Sequence, residues 1–160
     1  MRSLVVYYSR SGNTKKVAVA ISRVLKSDIE EIIDTKDRSG IIGWLYAGRD
    51  AFTHKLTGVK RIKSDPKKYK VVIIGTPIWA VNMAPAVRTY ITKMKKRFKK
   101  VAFFCTKGGV PPKNAFDTMK KLCGKLPVEK LEINERDIRN GDFYEKVKRF
   151  ANRLRQKSAR

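Results

Sequence analysis

The stretch VVYYSRSGNTKK, Val5 to Lys16, constrains this chain more than any other. A run of strand-forming residues stops in Ser9-Arg10-Ser11-Gly12-Asn13-Thr14, and a helical pattern starts directly behind it. The first N–H groups of a helix have no partner within it, and the helix dipole adds partial positive charge there, so such a turn receives a phosphate well. Ser9, Ser11 and Thr14 can add hydroxyl donors, Gly12 allows close approach of the backbone, and Asn13 tolerates a turn conformation. The turn lacks the glycine pair and Lys of a nucleoside-triphosphate P-loop, and it lacks the three glycines of a dinucleotide fingerprint. A plain helix cap would use the same residue types.

The rest of the chain repeats this alternation. Ser3–Tyr8, Val71–Gly75 and Val101–Cys105 are continuous apolar runs, as expected of strands buried on both faces of a parallel sheet. Asp28–Ile33 reads as a more polar edge strand and Val128–Ile133 as a fifth strand. Between them fall helical patterns at Asn13–Lys26, Gly40–Thr57, Lys113–Gly124 and Asp142–Gln156. A further helix capped by Asn82 carries Ala84, Val87, Ile91, Met94 and Phe98 at intervals of three and four, with Pro85 in its first turn. Trp44, Tyr46 and Phe52 read as packing residues, Asp65-Pro66 as a turn, and Lys157–Arg160 as a fraying tail. The fold class implied is α/β, a doubly wound five-stranded parallel sheet in a single domain spanning residues 1–160. Ligands of such sheets sit at the carboxyl ends of the strands, and the polar loops after strands one, three and four would converge there.

Charge is the unusual bulk property: 38 Lys and Arg against 14 Asp and Glu leave +24. The excess is concentrated in Lys60–Lys70, in Lys93–Lys100 and in the last helix. Such a surface attracts polyanions and acidic proteins. Cys105 and Cys123 have no metal-ligand spacing and fall on apolar patterns, so they read as reduced packing residues; His54 has no evident companion. No apolar run reaches the length of a membrane span, so the expectation is a soluble, cytoplasmic protein.

SRSGNT after the first strand, GTPIWAVNMAPAVRTYI after the third and CTKGG after the fourth, in that order, resemble the flavodoxin family. That resemblance implies a short-chain flavodoxin-like fold with strand order 2-1-3-4-5 and FMN as cofactor. It also implies that Ser9, Arg10, Ser11, Gly12, Asn13 and Thr14 hold the FMN phosphate. Thr76, Pro77, Ile78, Trp79 and Ala80 would border the isoalloxazine, with Thr106, Lys107, Gly108 and Gly109 along its pyrimidine side. The chemistry agrees, because a flat aromatic plate with polar edges needs an apolar or aromatic wall and backbone donors and acceptors at its rim. Trp79 can supply the wall and the glycine loop the rim, although Trp79 would also serve as a core residue. Three features depart from the familiar electron carriers, which are acidic: the strong positive charge, the lack of Tyr or Trp in the loop after strand four, and the absence of a long insertion in strand five. A positive field should stabilise reduced, anionic flavin and make its potential less negative.

Three functions fit these residues. The first is an FMN electron carrier serving acidic redox partners such as ferredoxin-like proteins. The second is an FMN flavoenzyme such as an NAD(P)H-dependent quinone reductase, in which Arg10 and Lys107 attract the nicotinamide cofactor. The third is a basic nucleic-acid-binding module; against it, the positive residues lie on several helices and are not interleaved with exposed aromatics.

Overall fold

The computed structural model describes residues 1–36, 40–53, 55–109 and 111–159. His54 and the side chains of Trp44 and Phe52 lie outside the described residues. The chain runs β1 (Ser3–Tyr7), α1 (Asn13–Leu25), β2 (Asp28–Glu31), α2 (Gly40–Phe52), β3 (Val71–Trp79), β4 (Asn82–Met83), α3 (Pro85–Met94), β5 (Lys100–Lys107), α4 (Lys113–Cys123), β6 (Pro127–Asn134), α5 (Glu135–Asn140) and α6 (Phe143–Ala159). The parallel strands are ordered β2-β1-β3-β5-β6, which is 2-1-3-4-5 when the two-residue β4 is set aside. β4 pairs antiparallel with the end of β3.

The side chains of β1 are all buried, because helices cover both faces of the sheet. On one face Val5, Ile73, Ala102 and Phe104 meet Val17, Ile21 and Leu25 of α1 and Phe150 and Leu154 of α6. On the other, Leu4, Val72, Ile74 and Phe103 meet Val87, Tyr90 and Ile91 of α3 and Phe116 and Met119 of α4. β2 is the outer strand, and the segment before β3 runs along it: Glu30 accepts the Lys63 and Ser64 amides at 2.5 and 2.9 Å. That contact blunts an otherwise open edge. Asp65 caps the 3-10 turn Pro66–Lys68 as the Asp-Pro pair implies, and its carboxylate also takes a two-pronged bond from Arg97, both contacts at 3.0 Å.

Several expectations are corrected. β2 ends at Glu31 and α2 at Phe52, earlier than the apolar patterns implied. β3 does not stop at Gly75 but continues to Trp79, because Thr76 and Pro77 still pair in register with Cys105 and Thr106. Asn82 is not a helix cap; it belongs to β4, and α3 starts at Pro85 behind an extended Ala84, the conformation a residue preceding proline prefers. β5 extends through Thr106 and Lys107, which pair with Ile133 and Asn134. The segment Glu135–Asn140, without a helical reading in the sequence, is α5, opened by a reciprocal capping box between Asn134 and Asp137. The expected frayed tail is helical to Ala159: Lys157 pairs with Glu129 at 2.8 Å and Ser158 is buried.

Gly75 marks the tightest point of the sheet, since a Cβ there would run into the ring of the fully buried Phe104. Gly75→Ala is expected to destabilise the fold by about 1–3 kcal/mol through overpacking. At about 2–4 °C per kcal/mol for a chain of this size, thermal unfolding should show a loss of roughly 2–12 °C. An unchanged melting temperature would mean that the ring moves aside freely.

Candidate functional site

The turn after β1 is built around one hydroxyl. Ser9 Oγ accepts the amides of Gly12 at 3.1 Å and Lys15 at 3.2 Å, folding residues 9–15 into a closed loop. Gly12 precedes the helix with φ 90°, a left-handed value that favours glycine, and a Cβ there would meet nothing within 4 Å. The first helical bond runs from the Lys16 amide to the Gly12 carbonyl at 3.0 Å. The amides of Ser11, Asn13 and Thr14 donate to no acceptor among the described residues. These N–H groups at the positive end of a thirteen-residue helix form an anion seat, with no acidic residue in the first turn to oppose it. Arg10 lies at the surface, where Nη2 donates to the Gly40 carbonyl at 3.4 Å and ties the turn to the start of α2.

The three loops are fastened to one another at the carboxyl edge. Thr14 and Thr106, both buried, share a hydroxyl–hydroxyl hydrogen bond of 2.7 Å that joins the start of α1 to the end of β5. The Tyr8 amide donates to the Gly75 carbonyl at 3.2 Å, joining the ends of β1 and β3. Thr76 is fully buried, accepts the Ala84 amide at 3.0 Å and donates to the Pro77 carbonyl at 2.9 Å. The side chains of Thr14, Thr76 and Thr106 are therefore engaged in holding the edge together. The backbones of Thr76 and Thr106 are paired within the sheet, and of the three only Thr14 keeps an amide without an acceptor among the described residues.

Beyond Pro77 and Ile78, half-buried Trp79 stands edge-on to Tyr8, ring centres 5.5 Å apart and planes at 89°. Ala80 and Val81 form the two-residue turn into β4 with φ values of 44° and 61°. Hairpin turns of this kind need positive φ at both positions, and Asn-Gly is the usual pair, so an alanine and a β-branched valine hold it under strain. Sequence reasoning missed the brace: Asn82 Oδ1 accepts from the Met83 amide at 2.8 Å and from the buried Arg88 guanidinium at 3.4 Å. Burial lowers the pKa of Arg88. Asn82 read as a cap signal, and nothing local distinguished the two uses.

On the other flank Lys107 pairs with Glu132 at 2.8 Å, and exposed Gly108 and Gly109 line a cavity of about 700 Å³ with residues of α5, among them Arg136 and Arg139. Neither glycine has a positive φ, and a Cβ on either would meet nothing within 4 Å. Cys105 and Cys123 are buried free thiols, and burial pushes both up to about 12, so neither is a thiolate near neutrality.

No family model matches the chain, and no curated protein matches it in sequence. Solved structures do match. A flavoprotein in complex with FMN from Lactobacillus acidophilus NCFM aligns at TM-score 0.72 and 24% identity, covering 87% of this chain and 97% of that one. Oxidised flavodoxin 1 from Bacillus cereus aligns at 0.59 and 18%, covering 98% of both chains. The flavodoxin of Streptococcus pneumoniae TIGR4 aligns at 0.61 and 16%, covering 98% and 99%. The fold of this chain is flavodoxin-like. Among the described residues, no helix is long and apolar enough to cross a membrane.

The Thr14–Thr106 bond sets a testable coupling. Thr14→Val leaves a buried hydroxyl unpaired and should cost about 1–3 kcal/mol in denaturant unfolding, whereas the Thr14→Val/Thr106→Val pair should recover much of that loss. Simple additivity of the two changes would mean that the two hydroxyls are not coupled.

Proposed function

We propose that this chain binds FMN at the carboxyl edge of its sheet and acts in the cytoplasm as an electron carrier between acidic redox proteins, such as ferredoxin-like carriers. The observation that carries the proposal is the anion seat at Ser11, Asn13 and Thr14, placed on the same edge as Trp79 and the Gly108-Gly109 loop. The fit to a phosphate is chemical, because three unpartnered amide donors at a helix start have no use for a cation or an apolar group. The isoalloxazine, when bound, supplies the electron chemistry, and the protein supplies binding and electrostatics.

In this reading the amides of Ser11, Asn13 and Thr14 donate to the terminal phosphate, and Ser9 keeps the turn in shape for it. Arg10, Lys15 and Lys16 add positive charge around the seat. Trp79, braced by Tyr8, offers an aromatic wall, with Pro77, Ile78 and Ala80 beside it. Lys107, Gly108 and Gly109 offer polar groups and open backbone to the rim of the ring. The net charge of +24 favours the anionic reduced cofactor, so its potential should lie above that of acidic flavodoxins. Support comes from the Lactobacillus protein, which shares the fold and holds FMN. A second reading, an NAD(P)H-dependent quinone reductase, draws on the cavity beside Gly108 and Gly109 as room for a second ligand, one that would meet Glu135, Asp137 and Asp142 as well as Arg136 and Arg139.

Fluorescence titration with FMN and with riboflavin, which lacks the phosphate, tests the seat. FMN should bind at least about 100-fold more tightly, as two charge-assisted hydrogen bonds of about 1.5 kcal/mol each would give. Equal affinities, or no uptake of FMN by folded protein, would contradict the proposal. With FMN bound, steady oxidation of NADPH or NADH in the presence of a quinone would replace the carrier with the reductase.

A further inference from the structure

The lysines that look scattered in the sequence meet at the opposite edge of the sheet. α3 ends at Met94 and continues through the 3-10 turn Lys95–Arg97 into β5, while α4 ends at Cys123 and turns at Gly124 into β6. Both connections lie at the amino ends of the strands. Lys67, Lys68 and Lys70 arrive there too, ahead of β3, with the Lys70 amide bonded to the Arg2 carbonyl. Between the two connections is a groove of about 340 Å³ lined by Lys95, Lys96, Lys121 and Lys125 over buried Phe98 and Cys123.

Among the described residues no ion pair neutralises this groove. Some lysines elsewhere are paired, Lys15 with Glu31, Lys36 with Asp50, Lys107 with Glu132, Lys146 with Asp137, Lys148 with Glu145 and Lys157 with Glu129. Others, such as Lys67, Lys68 and Lys70, have no ion pair among the described residues; what sets the groove apart is that four unpaired lysines converge on one concavity. Among the described residues no carboxylate lies within ion-pair distance of the four groove lysines. Asp65, the acidic residue of the neighbouring segment, is already held by Arg97. The carboxyl-terminal dipoles of α3 and α4 favour positive charge here, but that effect is confined to the last turn and one cation at each end satisfies it. The remainder is a concentration of like charge whose repulsion an external anion would relieve.

We infer that this lysine-lined edge binds the sugar–phosphate backbone of duplex nucleic acid, without regard to sequence. An acidic protein fits less well, since interface cores are built on apolar and aromatic anchors and the groove offers ammonium groups. A single-stranded ligand would need exposed stacking platforms, whereas the aromatic ring at the groove, Phe98, is buried. A membrane would meet a concave site with one strongly exposed apolar neighbour, Leu126. Backbone binding asks for clustered cations without a shaped pocket, and four lysines around one groove supply them. The eight residues of β5 put this edge roughly 23 Å from the carboxyl edge, so a duplex held here leaves the other edge open. The inference does not depend on flavin binding.

The test compares two triple variants of the full chain that change net charge equally. Lys96→Gln/Lys121→Gln/Lys125→Gln alters the groove, while Lys130→Gln/Lys148→Gln/Arg149→Gln alters exposed positions outside it. Fluorescence anisotropy with a 30-base-pair duplex of arbitrary sequence is followed across a salt series, with circular dichroism to confirm folding. The groove variant should lose at least about tenfold in affinity, and its salt slope should fall by about one for each lysine removed. The control variant should lose no more than about threefold. Equal losses in both variants would overturn the inference in favour of diffuse charge. It would equally fail if the parent did not bind the duplex at 100 mM salt, or bound phosphatidylserine vesicles more tightly than the duplex.

Discussion

Burial of β1, β3 and β5 on both faces is the constraint from which the rest of this molecule follows. A strand with helices above and below has its backbone fully paired and its side chains committed to packing, so its chemistry can only occur where it ends. The parallel arrangement sends all three strands in one direction, and their carboxyl ends, Tyr7, Trp79 and Lys107, open onto one edge. Right-handed crossovers then bring α1 back across the sheet with its amino end beside that edge. The anion seat and the aromatic wall are neighbours for that reason, although nearly seventy positions separate them in the chain.

The carboxyl edge is held by small polar contacts. Thr14 against Thr106 ties the helix start to the last loop; Ser9 closes the first turn; Thr76 anchors the start of α3. Each hydroxyl satisfies a group that would be costly to leave unpaired on burial. The result is a hydrogen-bonded frame in which the amides of Ser11, Asn13 and Thr14 are left without an acceptor among the described residues. The amino edge works differently. Its positive charge comes from long, flexible side chains at the ends of two helices, a field that suits a repeating anion more than a shaped ligand.

The sequence carried the parts of this design that are local. Unbroken apolar runs located the three central strands, the 3.6-residue pattern located α1, α3, α4 and α6, and the hydroxyl-rich turn located the seat. The missing parts are decided by distant partners. β3 reaches Trp79 because Pro77 has Thr106 to lie beside, which a Thr-Pro pair in a single sequence does not announce. α5 is six polar residues whose helicity rests on a cap, and α6 persists to Ala159 because Glu129 meets Lys157. Thr14 and Thr106 were legible as site residues, but not that their side chains bond to each other. The lysines were counted correctly while their convergence depended on strand order, which no local pattern encodes.

In the proposed site Ser11, Asn13 and Thr14 offer free amides to a phosphate, while Ser9 already occupies those of Gly12 and Lys15. An amide-resolved proton–nitrogen NMR titration with FMN tests it most directly. Phosphate binding at this turn should give large downfield shifts and slowed exchange for Ser11, Asn13 and Thr14, with smaller changes at Gly12 and Lys15. Unmoved resonances at those three residues, or the largest changes beside Arg136 and Arg139, would contradict it.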